Sequence, residues 1–373
     1  MNRQIDIAVI GAGIAGASIA AELAPHARLI LVEAEDYPGY HSTGRSAAFW
    51  SESYGGPFIR PLTVASGLFL GNPPADFSDC PFLSPRGAIY LASSDDDDAL
   101  RPLEEQFAES DLMLKKLGRR ELSSIIPGLR PEWDRGLAED SCRDIDVAAL
   151  HAAYLKQARK HGAELVLNAK ALQIERSPGG WRVHSSAGDF EATKIVNAAG
   201  AWADTVARMA GLPALDIRPH RRTMVQLRVN PTAAPDLPLI IDALGSFYFK
   251  PEAGGRLWLS PHDETPSEPG DCAPDEIDVA LAVERLQQVV DWKVEKVERR
   301  WAGFRSFAPD RLPVYGYAAG RDDFFWFAGQ GGFGIQTAPA AAKLAAALFL
   351  GQTPDPLVAG VDPDPYLAER FMN

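Results

Sequence analysis

Ile5-Asp6-Ile7-Ala8-Val9-Ile10-Gly11-Ala12-Gly13-Ile14-Ala15-Gly16 is the stretch whose reading decides the fold. Its first half is apolar and β-branched, as a buried strand requires, and it ends at Ile10 in a glycine-rich turn. Ala17-Ser18-Ile19-Ala20-Ala21-Glu22-Leu23 follows with helical propensity. A second apolar run, Arg28-Leu29-Ile30-Leu31-Val32, then ends at Glu33. Strand, glycines, helix, strand and acid in this order form the βαβ fingerprint of a dinucleotide site. Gly11 permits the tight turn, Gly13 lets the backbone approach a pyrophosphate, and Gly16 lets the helix pack close to its strand. Ile14 and Ala15 lie at the helix N-terminus, whose free N–H groups and positive dipole end favour phosphate. Glu33, followed by Ala34, sits where a carboxylate accepts hydrogen bonds from ribose hydroxyls and repels the extra phosphate of NADP. The fingerprint alone does not choose between FAD and NAD.

The 373 residues are enough for two domains and a substantial core. A net charge of -13 without any basic cluster excludes nucleic acid as a partner, because neutralising phosphates takes Lys and Arg. Cys80, Cys142 and Cys272 are widely spaced and form neither a disulfide framework nor a metal-ligand pattern, which suits a reducing cytoplasm. The seven histidines are scattered without HxxxH pairing, so no metal is expected. The apolar N-terminus lacks the basic region of a signal peptide, and no stretch approaches the roughly 20 apolar residues of a membrane helix. The chain reads as a soluble cytoplasmic protein.

Beyond Glu33, the loop Gly39-Tyr40-His41-Ser42-Thr43-Gly44-Arg45-Ser46-Ala47-Ala48 reads either as a second cofactor contact, through Ser42, Thr43, Arg45, Ser46 and Ala47, or as an ordinary surface loop. His41 alone reads more readily as structural than as an acid or base. Asp95–Asp98 predicts the solvated start of a helix reaching about Lys116, with a short helix over Glu121–Ile126. Asp146 caps a helix from about Val147 to His161. Strands are expected near Glu164–Leu167, Ala171–Arg176 and Trp181–Ser185. Asn197-Ala198-Ala199-Gly200-Ala201-Trp202 then places small residues at a strand's carboxyl end, where open α/β sheets bind ligands. Alternating strands at Thr223–Val229, Leu239–Asp242, Phe247–Lys250 and Leu257–Ser260, followed by a helix over Ile277–Val289, suggest an antiparallel sheet in a separate unit. Phe324–Ala328 reads as a buried strand. It runs through Gly331, Gly332, Phe333, Gly334, Ile335 and Gln336 into an alanine-rich helix, again offering N–H groups to an anion.

Taken together, these motifs resemble the D-amino acid oxidase superfamily of FAD enzymes, and within it the bacterial FAD-dependent D-arginine dehydrogenases. The resemblance rests on the N-terminal fingerprint, GYHSTGRSAA at Gly39–Ala48, NAAGAW at Asn197–Trp202, Arg221-Arg222, SFYFKP at Ser246–Pro251, WAGFRSF at Trp301–Phe307 and QGGFGIQT at Gln330–Thr337. It implies FAD rather than NAD, bound non-covalently, because Gly303 stands near the position of the covalent flavin cysteine in the sarcosine-oxidase branch. It also implies an α/β fold with a discontinuous layout. Residues 1–80, 147–217 and 303–373 would form a Rossmann-like FAD domain, and 81–146 and 218–302 an α+β substrate domain on an antiparallel sheet. The implied cofactor contacts also include Ala171, Ala199, Gly200 and Trp202.

Carried over by resemblance, Arg222 and Arg305 grip a substrate carboxylate, and a planar guanidinium suits that bidentate role. Tyr54 and Tyr248 line the same site, and the Gly332 carbonyl receives the amine. Phe49 replaces a histidine of the D-arginine dehydrogenase pocket, and Ala88 replaces the acid that holds the guanidinium. With Trp50 beside Phe49, the pocket is expected to favour apolar or aromatic side chains, unless Glu52 or Asp242 supplies another acid. The expected reaction is hydride transfer from the α-carbon of a D-amino acid to flavin N5, with oxygen or a quinone-type acceptor reoxidising the flavin. Two alternatives share the scaffold: oxidation of 2-hydroxy acids or of N-methyl amino acids, and a flavin subunit of an electron-transfer complex.

Overall fold

A computed structural model describes residues 5–96 and 98–371. Among the described residues the strands form three sheets. The first, eight-stranded, is built on Ile5–Ile10, flanked in parallel by Leu29–Val32 and by Gly188–Asn197. The long strand Gly188–Asn197 changes partner along its length. Its start pairs antiparallel with Gly180–Ser185, and its end pairs parallel with the fully buried strand Phe324–Ala328. Apolar runs without alternation are what strands covered on both faces require. Helices Ile14–Leu23, Val147–Lys160 and Ala338–Leu350 share one core with this sheet, including Ile19, Leu31, Leu150, Tyr154, Phe327 and Leu344.

The second sheet has ten strands and runs Gln330–Gly331, Lys293–Phe307, Arg218–Asn230, Arg256–Ser260, Tyr248–Glu252, Leu239–Asp242, Ala88–Ser93, Trp133–Glu139, Lys115–Gly118, with Thr265–Pro266 added beside Arg218–Asn230. Its pairs are antiparallel except Leu239–Asp242 with Ala88–Ser93. One face packs Val225, Leu227, Phe249 and Leu259 against Ala282 and Leu286 of helix Glu276–Val289. Alternation therefore sends Arg222, Met224, Tyr248, Gly303 and Arg305 to the other face. A small third sheet joins Phe49–Trp50, Arg143–Ile145 and Leu83–Pro85. The fold is mixed α/β.

Three expectations change. The helix foreseen up to Lys116 spans only Arg101–Phe107, because Ser110 turns back on the Phe107 carbonyl through both its N–H and its hydroxyl, and Lys115–Gly118 is a strand. The acidic run precedes that helix rather than forming its first turn, and Asp97 lies outside the described residues. The strand Lys293–Phe307 was not foreseen at all. No described helix is long and apolar enough to cross a membrane.

Candidate active site

A cavity of about 610 Å³ opens at the carboxyl ends of Ile5–Ile10, Leu29–Val32 and Gly188–Asn197 and extends to the free face of the ten-stranded sheet. At its first end Gly11 has φ of 98°, a conformation that favours glycine. Glu33, 8% exposed, accepts from the Ala12 N–H at 2.8 Å and the Glu35 N–H at 3.1 Å. Burial raises its carboxyl pKa against those hydrogen bonds. Thr43 Oγ1 accepts from the Ile14 N–H at 2.9 Å. Gly13, Ile14, Ala15, Ala34, Ser42, Thr43, Ser46, Ala47, Ala171, Ala199, Gly200 and Trp202 line this cavity, as do Gly331, Gly332, Gly334 and Ile335. The concave backbone, the first-turn N–H groups of helix Ile14–Leu23 and the acid at the strand end fit a dinucleotide.

Two predicted contacts have other work. Arg45 lines the cavity, yet its guanidinium donates to the carbonyls of Tyr40, Cys272 and Ala302 and to Asp271. It ties the loop 39–48 to the ten-stranded sheet and has little left for phosphate. Gln336, 2% exposed, accepts from the Ser51 N–H and donates to the Tyr54 carbonyl and Thr63 Oγ1. Gly16 and Phe333 lie behind the wall: Gly16 at the helix–strand contact, Phe333 with Ile59 and Phe307. His41, not proposed as a ligand, also lines the cavity, with Nε2 on Glu35 at 2.9 Å and its ring 4.5 Å from Trp202.

At the other end Arg222 and Arg305 sit on neighbouring strands, Arg222 opposite Gly303 and Arg305 opposite His220. Arg222 is 2% exposed. Its Nε donates to the Asp263 carbonyl at 2.7 Å and Nη2 to Glu264 at 2.9 Å, while Nη1 is buried without a hydrogen-bond partner among the described residues. Nε of Arg305 is likewise buried and unpartnered. Burial, and then Arg305, lower the Arg222 pKa. Burial works against the charge of Arg305, but Tyr54 and Tyr248 more than offset it and raise that pKa. Burial alone would raise the Tyr248 phenol, yet Arg305 and Arg222 bring it below 10. Unmatched donors on two buried cations favour an anion between them.

Beside Arg305 a small space of about 20 Å³ is lined by Phe49, Tyr54, Tyr248, Gly332 and Gln336, among others. A Cβ on Gly332 would fall 2.4 Å from Tyr54 Oη and 2.9 Å from Arg305 Nε, so only glycine admits both groups there. Trp50 does not face this space. Neighbours on a strand point to opposite sides, and its indole donates to the Thr63 carbonyl at 2.8 Å within the core. Ala88, 1% exposed, packs with Tyr248 and Met224 but lines neither cavity. Glu52 pairs with Arg60 and Asp242 closes the turn at Ser246, so neither supplies the pocket with an acid.

His262 gives no sequence signal, but it sits at φ of 55° with Nδ1 2.6 Å from the Gly245 carbonyl and its ring 5.6 Å from Tyr248. Burial, followed by Arg222, Arg305 and Arg285, pushes its pKa down to about 3. The unfolded chain therefore binds more protons between about pH 6.5 and 3, and stability falls as pH drops through that window. Asparagine tolerates the left-handed backbone and does not titrate. His262→Asn should thus lose less melting temperature than wild type below pH 6.5, with a constant offset above it. Parallel pH profiles would refute this.

The full length of the chain has known relatives. A glycine oxidase from Pseudomonas aeruginosa is 26% identical, covering 96% of this chain and 97% of its own. The L-2-hydroxyglutarate dehydrogenase of Escherichia coli K12 is also 26% identical, over 58% of this chain and 52% of its own. The crystal structure of glycine oxidase from Geobacillus kaustophilus superposes with a TM-score of 0.85 at 22% identity, covering 98% of both chains. The family profile described as DAO, FAD dependent oxidoreductase, matches residues 6–348. With the dinucleotide cavity and the cationic end both in place, the chain belongs to the DAO family of FAD-dependent oxidoreductases.

Proposed function

We propose that the chain oxidises the Cα–N bond of a small, uncharged α-amino acid, glycine or a D-amino acid, to an imino acid that water hydrolyses. The observation that carries this reading is the pair of buried, unpartnered guanidinium donors, Arg222 Nη1 and Arg305 Nε, at the cavity's end. Bound FAD supplies the two-electron acceptor. Gly11, Gly13, Ile14, Glu33 and Thr43 would hold its dinucleotide part. Arg222 and Arg305 hold the substrate carboxylate, with the Tyr54 and Tyr248 hydroxyls beside them, and the Gly332 carbonyl receives the neutral amine. Fixing both substituents of the α-carbon orients its hydrogen, and no side-chain base is required. The full-length glycine oxidase relative supports an amino acid as substrate.

Phe49, Tyr54 and Tyr248 line a space that suits a small apolar side chain, and Trp50, turned into the core, adds no aromatic wall to it. The space has no acid in its lining, and Arg305 repels a cation. D-Arginine should trail D-alanine or glycine by about 1.5–3 kcal/mol, roughly ten- to 150-fold in kcat/KM, the worth of one missing charge-assisted hydrogen bond. The test is anaerobic flavin bleaching and kcat/KM with an artificial acceptor for glycine, D-alanine, N-methylglycine, D-phenylalanine and D-arginine. A lead for D-arginine would sink the reading. Because the L-2-hydroxyglutarate dehydrogenase relative makes a 2-hydroxy acid the second candidate, 2-hydroxyglutarate belongs in the same panel. Neither Cys80, Cys142 nor Cys272 lines the cavity, so acid precipitation should release free FAD. Flavin that stays with the precipitated polypeptide would contradict non-covalent binding.

A further inference from the structure

Tyr54 stands on the loop 51–54, and that loop is tied down by a carboxylate from another strand. Glu139 ends the strand Trp133–Glu139 and is 0% exposed. Its Oε2 accepts from Ser51 Oγ at 2.8 Å and from Ser53 Oγ. Its Oε1 accepts from the Glu52 N–H at 2.7 Å and from Ser141 Oγ at 3.1 Å. Three consecutive residues of the loop thus donate to one side chain. Ser53 Oγ is also 2.8 Å from Tyr90 Oη. Burial and the neighbouring Glu139 raise the pKa of that phenol, so it keeps its proton and donates to Ser53. All the hydroxyl protons then run one way, towards Glu139. From the other side Gln336 receives the Ser51 N–H at 3.2 Å and donates to the Tyr54 carbonyl at 3.1 Å.

A buried carboxylate surrounded by neutral donors is a poor way to gain stability, since an apolar side chain of similar volume avoids the desolvation cost. What it provides is acceptor capacity on both oxygens, which neither an amide nor an apolar group offers. The loop it fixes delivers the Tyr54 hydroxyl to the point where a Cβ on Gly332 would collide with it, next to Arg305 Nε. We infer that Glu139 is a positioning residue of the substrate clamp, holding loop 51–54 so that the Tyr54 hydroxyl stays beside Arg305 and Gly332. This rests on the carboxylate clamp proposed above.

The test uses FAD-loaded enzyme and two readouts: acetate titrated against the flavin absorbance spectrum, and kcat and KM for the best amino acid substrate. Glu139→Gln turns one acceptor oxygen into a donor facing other donors. It should weaken acetate and raise KM about ten-fold, with kcat moving less. Tyr54→Phe should do the same, and Glu139→Gln/Tyr54→Phe should be no worse than Tyr54→Phe alone, because both act through one hydroxyl. Ser53→Ala removes a single donor and serves if Glu139→Gln does not fold, with a loss of about three-fold expected. Wild-type acetate binding in Glu139→Gln, or a loss fully additive with Tyr54→Phe, would overturn the inference, even if melting temperature falls. Arg305→Met separates the two levels. If it leaves acetate binding intact, the clamp itself is wrong. If it abolishes binding while Glu139→Gln and Ser53→Ala do not weaken it, only the positioning role fails.

Discussion

Arg305→Met should lower kcat/KM for the preferred amino acid by roughly a hundred- to a thousand-fold, while the protein stays folded and yellow. Methionine has about the length of the aliphatic part of arginine and fills its channel without charge. Removing one partner of a buried charge pair costs about 2–5 kcal/mol, because the remaining carboxylate is desolvated without its counterion. Arg305 suits the measurement better than Arg222 for a structural reason. Arg222 already spends Nε on the Asp263 carbonyl and Nη2 on Glu264, so its loss would also release the segment 262–266. Arg305 leaves its Nε unpartnered against Gly332. Its removal also relieves repulsion of Arg222, whose pKa it depresses, so folding should not suffer. Full activity with amino acids, or a loss matched by loss of FAD, would refute the assignment.

How much of this arrangement could be read from the sequence depends on how local its cause is. The βαβ unit was legible because one strand, one turn and one helix are set by neighbouring residues, and Ile5–Ile10, Ile14–Leu23 and Leu29–Val32 fall where the apolar runs and glycines put them. The small residues at Asn197–Trp202 and Gln330–Gln336 signalled close backbone approach for the same local reason. Lys293–Phe307 escaped because its first half is mostly exposed, with Val294 its contact to the core, so Lys293, Glu295, Lys296, Glu298 and Arg299 show no apolar alternation. It is held instead by cross-strand charge, with Glu298 between Arg228 and Arg256. Arg45 carried the right chemistry for an anion, but its carbonyl partners at Cys272 and Ala302 lie far along the chain. The pairing of Ser51 and Ser53 with Glu139 is equally non-local. Trp50 was a different case: the period of a strand already forbids it from sharing a pocket with Phe49.

Gly16→Ala should yield protein largely stripped of FAD and melting roughly 4 °C lower, the shift expected for about 3 kcal/mol in a chain of this size. A Cβ at this position would lie 1.7 Å from the Gly11 carbonyl oxygen and 2.8 Å from its carbon. Both are backbone atoms, so no side chain can swing away to make room. Gly11 cannot yield either. Its N–H is bound to the Val32 carbonyl at 2.8 Å, and its φ of 98° places it against the Ala198 carbonyl, which a Cβ on Gly11 would approach to 2.6 Å. The helix Ile14–Leu23 must therefore lift from its strand, although Ala17, Ile19 and Ala20 are buried in the core behind it. Lifting the helix draws the Ala12 N–H from Glu33 and the Ile14 N–H from Thr43, the two bonds that shape the phosphate end of the cavity. Gly270→Ala is the control, because a Cβ there meets nothing within 4 Å and its φ is unexceptional. The comparison is flavin-to-protein absorbance and melting temperature after identical purification. Stoichiometric FAD in Gly16→Ala would mean that the helix–strand contact does not govern the cofactor site.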